Sequence, residues 1–165
     1  MKANPRPGVN SLVLSMMFTQ IISGGQTGVD RAALDVSLEL GLPCGGWCPQ
    51  GRKAEDGPID PRYPVRETPS SDYPQRTAWN VRDAEGTLVL TRGRRKGGTA
   101  LTIAHARLLN KPCLVLNLNK EPTPAQVRDW AEAYQVRVLN VAGPRESENP
   151  EIYDQAVEFL RRLLS

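Results

Sequence analysis

The sequence predicts a Rossmann-like α/β domain in three layers, with a mostly parallel sheet of about five strands and helices on both faces. Apolar runs alternate with amphipathic helical patterns from residue 19 to the end of the chain. The runs are apolar throughout rather than at every second position, which is typical of parallel strands buried on both faces and joined by right-handed crossovers. The length of 165 residues suits one domain, which we place at 19–165.

Each element has a local signal. The strands are predicted at 19–24, 42–48, 86–91, 112–118 and 136–141. Helical spacing begins at Val29, with Gly41 as a C-terminal cap, and again after Asp72 and after the glycines at 97–98. Thr123–Pro124 and Asn149–Pro150 are cap and first-turn pairs for the last two helices. The segment 49–70 is rich in proline and charge, so we expect an irregular excursion there.

Composition narrows the function classes. A net charge of +3 predicts no general affinity for nucleic acid or membrane, and no apolar run reaches the roughly 20 residues that span a bilayer. The three cysteines match no usual zinc pattern, so we expect reduced thiols in a cytoplasmic protein, with no metal site. Residues 1–18 are interpreted as a flexible N-terminal tail or as a misassigned start, with translation beginning at Met16 or Met17.

Two glycine-rich turns each follow a strand and precede a helix, at Gly24–Gly28 and at Gly93–Thr99. Unpaired backbone N–H groups at the positive end of a helix dipole favour a phosphate or a similar oxyanion, and both turns are expected at the same edge of the sheet. The first turn lacks the spacing of the dinucleotide fingerprint, and Thr99 replaces the lysine of a nucleotide-hydrolase phosphate loop. The turns therefore indicate an oxyanion site without committing it to NAD or ATP.

Charged residues beside the turns allow two interpretations each. The cations at 92 and 94–96 form either a solvated loop or part of an anion site. Asp30 either stabilises the helix dipole or accepts hydrogen bonds from a ligand, whereas Asp35 is interpreted as structural. His105, the single histidine, lies on an apolar helix stripe and is interpreted as a packed residue rather than a general base.

Several motifs in order carry a family resemblance. The stretches "GGQTGVDRAALD", "GGWCPQGRKAEDGPI", "RYPVRETPSSDYPQRTAWNVRD" and "GTLVLTRG...GGTALT" resemble the putative molybdenum carrier family, within the Rossmann-like proteins that include lysine-decarboxylase-like phosphoribohydrolases. The resemblance covers roughly residues 19–164. It implies a cytoplasmic homo-oligomer that binds molybdenum cofactor or another phosphorylated nucleotide-like ligand and needs no catalytic residue. Molybdoenzymes or cofactor-synthesis proteins would be its partners.

The same motifs imply a set of ligand-binding positions. They are Gly24, Gly25, Thr27, Gly28, Asp30, Thr68, Arg76, Thr91, Arg92, Gly93, Gly97, Gly98 and Thr99. Asn80 either borders the pocket or braces the crossover.

Two other functions stay open. The phosphoribohydrolase relatives carry a glutamate on the helix after the glycine turn, and the corresponding helix "GGTALTIAHA" has no acidic residue. A hydrolase of nucleotide N-glycosidic bonds would therefore need another acid, for which Glu67 or Asp72 are the candidates. A nucleic-acid-binding module rests on the basic loop alone, since no aromatic residues interleave with it.

Overall fold

The computed structural model describes residues 17–165. Most of the predicted tail lies outside these residues. Its last two positions belong to the folded domain, because Phe18 is 5% exposed within the main core and Met17 packs against that core. The packed domain therefore includes two residues that the predicted boundary at residue 19 leaves out.

Helices and strands alternate along the chain as predicted. The helices are α1 (Val29–Leu40), α2 (Tyr73–Asp83), α3 (Gly97–Leu108), α4 (Pro124–Tyr134) and α5 (Ile152–Leu164). The strands are β1 (Gln20–Ile22), β2 (Cys44–Gly45), β3 (Trp47–Cys48), β4 (Arg66–Glu67), β5 (Gly86–Thr91), β6 (Cys113–Asn117) and β7 (Val138–Ala142). A 3₁₀ turn at Leu118–Lys120 follows β6.

Five strands form the main sheet, in the order β2-β1-β7-β5-β6, and every pairing is parallel. Helix α5 packs on α1 and α4, while α2 packs on α3. These two groups of helices cover opposite faces, so the predicted three-layer Rossmann-like fold is confirmed. The last strand along the chain, β7, lies at the centre of the sheet.

The strand order places a crevice at the carboxyl edge of the sheet. From β1 the chain crosses outward to β2, and from β5 it crosses outward in the opposite direction to β6. Right-handed crossovers in opposite directions put α1 and α3 on opposite faces. Ligands of open α/β sheets bind where the crossovers diverge in this way.

The predicted strand 42–48 is two strands in two sheets. Cys44–Gly45 pairs with β1, whereas Trp47–Cys48 pairs with β4 in a separate two-stranded sheet. Gly46 divides them with a φ of 130°, and a Cβ there would lie 2.2 Å from the Ser23 carbonyl oxygen. The backbone turns at Gly46 because only glycine allows so close an approach.

Two other elements differ from the expectation in detail. Strand β6 is half exposed rather than buried because it lies at the sheet edge, whereas β5 is buried along its whole length. Helix α5 begins at Ile152 rather than at Pro150, after Glu151 in the left-handed region.

The irregular excursion has its own small core and is attached through Asp35. Ile59, Tyr63 and Val65 pack with Leu34 of α1 in this second cluster. Asp35 accepts hydrogen bonds from two phenol groups, Tyr63 at 2.6 Å and Tyr153 of α5 at 2.5 Å. One carboxylate therefore joins α1, the excursion and α5, in agreement with its interpretation as structural.

We expect Tyr153→Phe to lower the free energy of unfolding by about 1–2 kcal/mol, because it removes the hydrogen bond from α5 to the Asp35 side chain. Urea denaturation measures the change. Tyr134→Phe is the matched control, since the Tyr134 side chain is exposed on α4. An equal change in both variants would contradict the role assigned to Asp35.

Candidate functional site

A polar cleft lies at the carboxyl edge of the sheet, where the starts of α1 and α3 face each other across the end of β7. Its empty space, including the open mouth, is about 520 Å³. Helix α2 and the loop between β7 and α5 form the other walls. The lining residues are Gly24, Gln26, Asp30, Arg76, Thr77, Asn80, Gly98, Thr99, Thr102, Asn140, Ala142, Gly143, Pro144, Arg145 and Glu148.

The N-terminus of α3 presents free backbone donors at the cleft. Among the described residues, the N–H groups of Gly97 and Gly98 have no acceptor, whereas the Thr99 N–H donates to the Lys96 carbonyl at 3.1 Å. A Cβ at Gly98 would have no atom within 4 Å. Thr99 is 3% exposed and carries a hydroxyl beside these donors. This helix end has the geometry of an anion site.

A buried arginine and a buried aspartate form the opposite wall. The Arg76 guanidinium donates to the Gly24 carbonyl at 2.9 Å and to the Thr77 hydroxyl at 3.2 Å, and its Nη1 lies 3.9 Å from the Asp30 carboxylate. The Asp30 and Arg76 side chains are both largely buried. Burial raises the pKa of Asp30 to about 6, against the opposing effects of Arg76 and the Gln26 N–H. The wall therefore combines a fixed cation with a carboxyl group that changes charge near neutral pH.

Most of the first glycine turn packs against protein rather than the cleft. Ile59 covers Gly25, whose Cβ would lie 2.9 Å from the Ile59 Cδ1. A Cβ at Gly28 would lie 2.3 Å from the Pro144 carbonyl oxygen, which accepts the Val29 N–H at 3.3 Å. The start of α1 therefore already has an acceptor from the β7–α5 loop.

The Thr27 side chain also contacts the protein segments that cover the first glycine turn. Its hydroxyl donates to Glu55 and accepts the Glu146 N–H at 3.1 Å. Glu55 also accepts from the Ser147 hydroxyl at 2.5 Å. Arg31 pairs with Asp56 of the excursion at 3.0 Å. The excursion and the β7–α5 loop thus cover this turn, and of its predicted site residues only Gly24 and Asp30 line the cleft.

A second lobe of the cleft runs along the basic loop. Thr99, Pro144 and Glu148 line both lobes, and Arg92, Arg94, Lys96 and Asn149 line the second lobe alone. The Arg92 guanidinium is held by the Pro150 carbonyl at 2.6 Å. Arg94 and Lys96 are exposed. Part of the basic loop, including the predicted site residue Arg92, therefore borders the cleft.

Four other predicted positions do not line this cleft. Thr91 and Gly93 border a separate surface depression with Arg95 and β6. Thr68 is buried, and its hydroxyl donates to the Ser70 carbonyl at 2.9 Å. Gly97 is exposed at the helix start, next to Glu148. The structure thus groups Gly24, Asp30, Arg76, Gly98 and Thr99 on one cleft and places the others around it.

The proposed substitute acids are also outside the cleft. Glu67 is exposed and accepts the Gly51 N–H at 2.6 Å, and Asp72 is exposed just before α2. The carboxylates that line the cleft are Asp30 and Glu148, of which Glu148 pairs with Arg145 at 3.4 Å. Any acid chemistry in this cleft would use these two groups.

Polar residues with weak sequence signals complete the lining. The Asn140 side chain donates to the Thr87 hydroxyl at 3.3 Å. The Asn80 side chain forms hydrogen bonds with both the backbone N–H and the carbonyl of Trp47, so Asn80 braces this crossover segment and also lines the cleft. The Gln26 Oε1 accepts hydrogen bonds from the backbone N–H groups of Thr27 and Glu55. The buried Nε2 of the same side chain has no hydrogen-bond partner among residues 17–165. A polar residue at the end of the predicted strand at 136–141 was the one local signal for Asn140.

The described residues contain no group of three or more His, Cys, Asp and Glu side chains that could hold a metal ion. The three cysteines are free thiols, and burial raises the pKa of each. Within residues 17–165 no helix is both long and apolar enough to span a membrane.

We expect Gly28→Ala to destabilise the fold by more than about 1 kcal/mol, because φ is 79° and the new Cβ would collide with the Pro144 carbonyl. Gly98→Ala should leave stability unchanged or raise it, since the site is open and helical. Thermal denaturation of both variants tests the contrast. Equal losses would mean that the two turns are packed alike.

Stability should fall as the pH rises from about 4 to about 6, through Asp30. The folded-state pKa of about 6 lies above the ordinary 3.8, so the folded protein binds more protons in this window. A shift of this size corresponds to at most about 3 kcal/mol. Urea denaturation across the window should show the decline in the wild type and a flatter profile in Asp30→Asn. Asp129→Asn, an exposed position on α4, should keep the wild-type profile.

Comparison with known proteins agrees with the resemblance of the motifs. A crystal structure of a putative molybdenum carrier protein from Syntrophus aciditrophicus SB is 44% identical, with a TM-score of 0.88 over 90% of this chain and 96% of that chain. A search of curated proteins found no match. The sequence model of the circularly permutated YpsA SLOG family matches residues 21–164. Because the match spans most of the length of this chain, the chain belongs to the circularly permutated YpsA SLOG family.

Proposed function

We propose that this protein binds and carries a phosphate-bearing, nucleotide-like small molecule, with molybdenum cofactor as the first candidate. The observation that carries the proposal is the free N–H group of Gly98, next to that of Gly97 at the start of α3, in the same cleft as the buried Arg76 guanidinium. A phosphate group there would accept hydrogen bonds from the helix end while the helix dipole and Arg76 offset its charge.

The rest of the cleft supports a polar cargo held by its phosphate end. Thr77, Asn80, Thr102 and Asn140 add hydroxyl and amide groups to the lining. Residues 17–165 offer no cluster of metal ligands, so we propose that molybdenum would be carried on the pterin rather than bound by protein side chains. The name of the similar crystal structure supports a carrier rather than an enzyme.

We further propose a cytoplasmic homo-oligomer that passes its cargo to molybdoenzymes or to cofactor-synthesis proteins. Leu108 and Leu109 at the end of α3 support an oligomer, because Leu108 is 80% exposed and Leu109 lies beside it at the surface. Native mass spectrometry of protein purified from its own host, with elemental analysis for molybdenum, identifies both the cargo and the oligomer.

Gly98→Ala should weaken the binding of inorganic phosphate at least tenfold while the protein stays folded. The added methyl group would stand in the open space before the α3 N–H groups and keep an oxyanion from reaching them. Isothermal titration calorimetry measures the binding. Gly41→Asn is the matched control, because this helix-end glycine is open, far from the cleft, and in a left-handed conformation that Asn tolerates. Unchanged phosphate binding in Gly98→Ala would contradict the proposed site.

A second candidate, a hydrolase of nucleotide N-glycosidic bonds, is favoured by one observation. Asp30 lies in the cleft with a pKa raised by burial to about 6, which suits an acid that donates a proton to a leaving base near neutral pH. Incubation with nucleoside monophosphates should release free base only if this function holds. Loss of that release in Asp30→Asn, with phosphate binding retained, would replace the carrier proposal.

A further inference from the structure

Three cations surround one aromatic ring at the rim of the cleft. The Lys53 Nζ lies 5.0 Å from the centroid of the Tyr73 ring, and the guanidinium carbons of Arg76 and Arg145 lie at 5.1 and 5.5 Å. We call these four residues the Tyr73 cluster. The cations come from the excursion, from α2 and from the β7–α5 loop, so the fold rather than the local sequence brings them together.

Carboxylates accompany two of the three cations in the cluster, and Glu55 adds a further negative charge near Arg145. The ring attracts each cation, but three like charges that share one contact repel each other. Asp30 lies 3.9 Å from Arg76 and Glu148 lies 3.4 Å from Arg145. Among residues 17–165, Lys53 has no carboxylate within ion-pair distance. An arrangement of this kind favours an added anion.

The cluster is continuous with the cleft. Arg76 and Arg145 both line it, together with Gly98 at the start of α3. Tyr73 contacts both of these arginines and Lys53, and neither Tyr73 nor Lys53 lines the lobe along the basic loop. Arg76 thus belongs both to the phosphate site proposed above and to the Tyr73 cluster.

We propose that the Tyr73 cluster is a second anion site, which takes the further phosphate group of a diphosphate-bearing ligand whose first phosphate lies at Gly97 and Gly98. This inference rests on the proposed function. Lys53 is the residue that distinguishes a diphosphate from a monophosphate, because it belongs to the cluster and not to the lining of the first site.

Titration with inorganic phosphate and with pyrophosphate, at neutral pH and constant ionic strength, tests the inference. The wild type should bind pyrophosphate more tightly than phosphate. Lys53→Gln should weaken pyrophosphate binding about fivefold and leave phosphate binding unchanged, since it removes one exposed charge. Tyr73→Leu should also weaken pyrophosphate binding, because it removes the ring that Lys53 and Arg145 contact.

Two matched lysine variants make the result specific. Lys120→Gln removes an exposed charge after β6 and should change neither titration. Lys96→Gln removes a charge from the lobe along the basic loop. If Lys96→Gln alone abolishes the preference for pyrophosphate, the second phosphate lies along the basic loop and the inference is overturned.

The failures of the two proposals are distinguishable. If the wild type binds phosphate but does not prefer pyrophosphate, the second site is overturned and the first is kept. The same conclusion follows if the wild type prefers pyrophosphate and both Lys53→Gln and Tyr73→Leu keep that preference. If neither anion binds the wild type, both proposals fail.

Discussion

The contact between Arg76 and the first glycine turn is the interaction on which the rest of the structure depends. A buried guanidinium costs several kcal/mol unless its donors find acceptors, and here the acceptors are the Gly24 carbonyl and the Thr77 hydroxyl, with Asp30 nearby. Because these groups belong to α2, to the turn after β1 and to α1, the two layers of helices must meet at one point in one arrangement. The cleft is the space that this arrangement leaves beside the end of β7.

The two glycine-rich turns have different physical roles. The glycines of the first turn permit close packing, since Ile59 covers Gly25 and the Pro144 carbonyl approaches Gly28. The glycines of the second turn border open space at the start of α3. The difference comes from the proline-rich excursion and the β7–α5 loop, which close over one helix start and leave the other accessible.

Much of the fold could be predicted because its signals are local. The helical spacing after Val29, the Gly41 cap and the Thr123–Pro124 start all agree with the structure, as does the apolar run at 86–91. The division of 42–48 could not be predicted, because it depends on the distance between Gly46 and Ser23.

The order of the strands is non-local in the same way. A crossover can join neighbours or pass over them, so nothing in the letters of β7 indicates its central position. The family is described as circularly permutated, and a last strand at the centre of the sheet is the feature of this chain that agrees with the description.

The sequence by itself determined the alternation of strands and helices, the parallel sheet, the two glycine turns and the family, since periodicity, caps and motifs are properties of short segments. Only the tertiary structure decided which turn is free, that Asp30 and Arg76 share a buried wall, and that Lys53, Arg76 and Arg145 meet at Tyr73. Burial raises the pKa of Asp30, and proximity between distant segments brings the three cations to one ring; neither effect exists before the chain is folded.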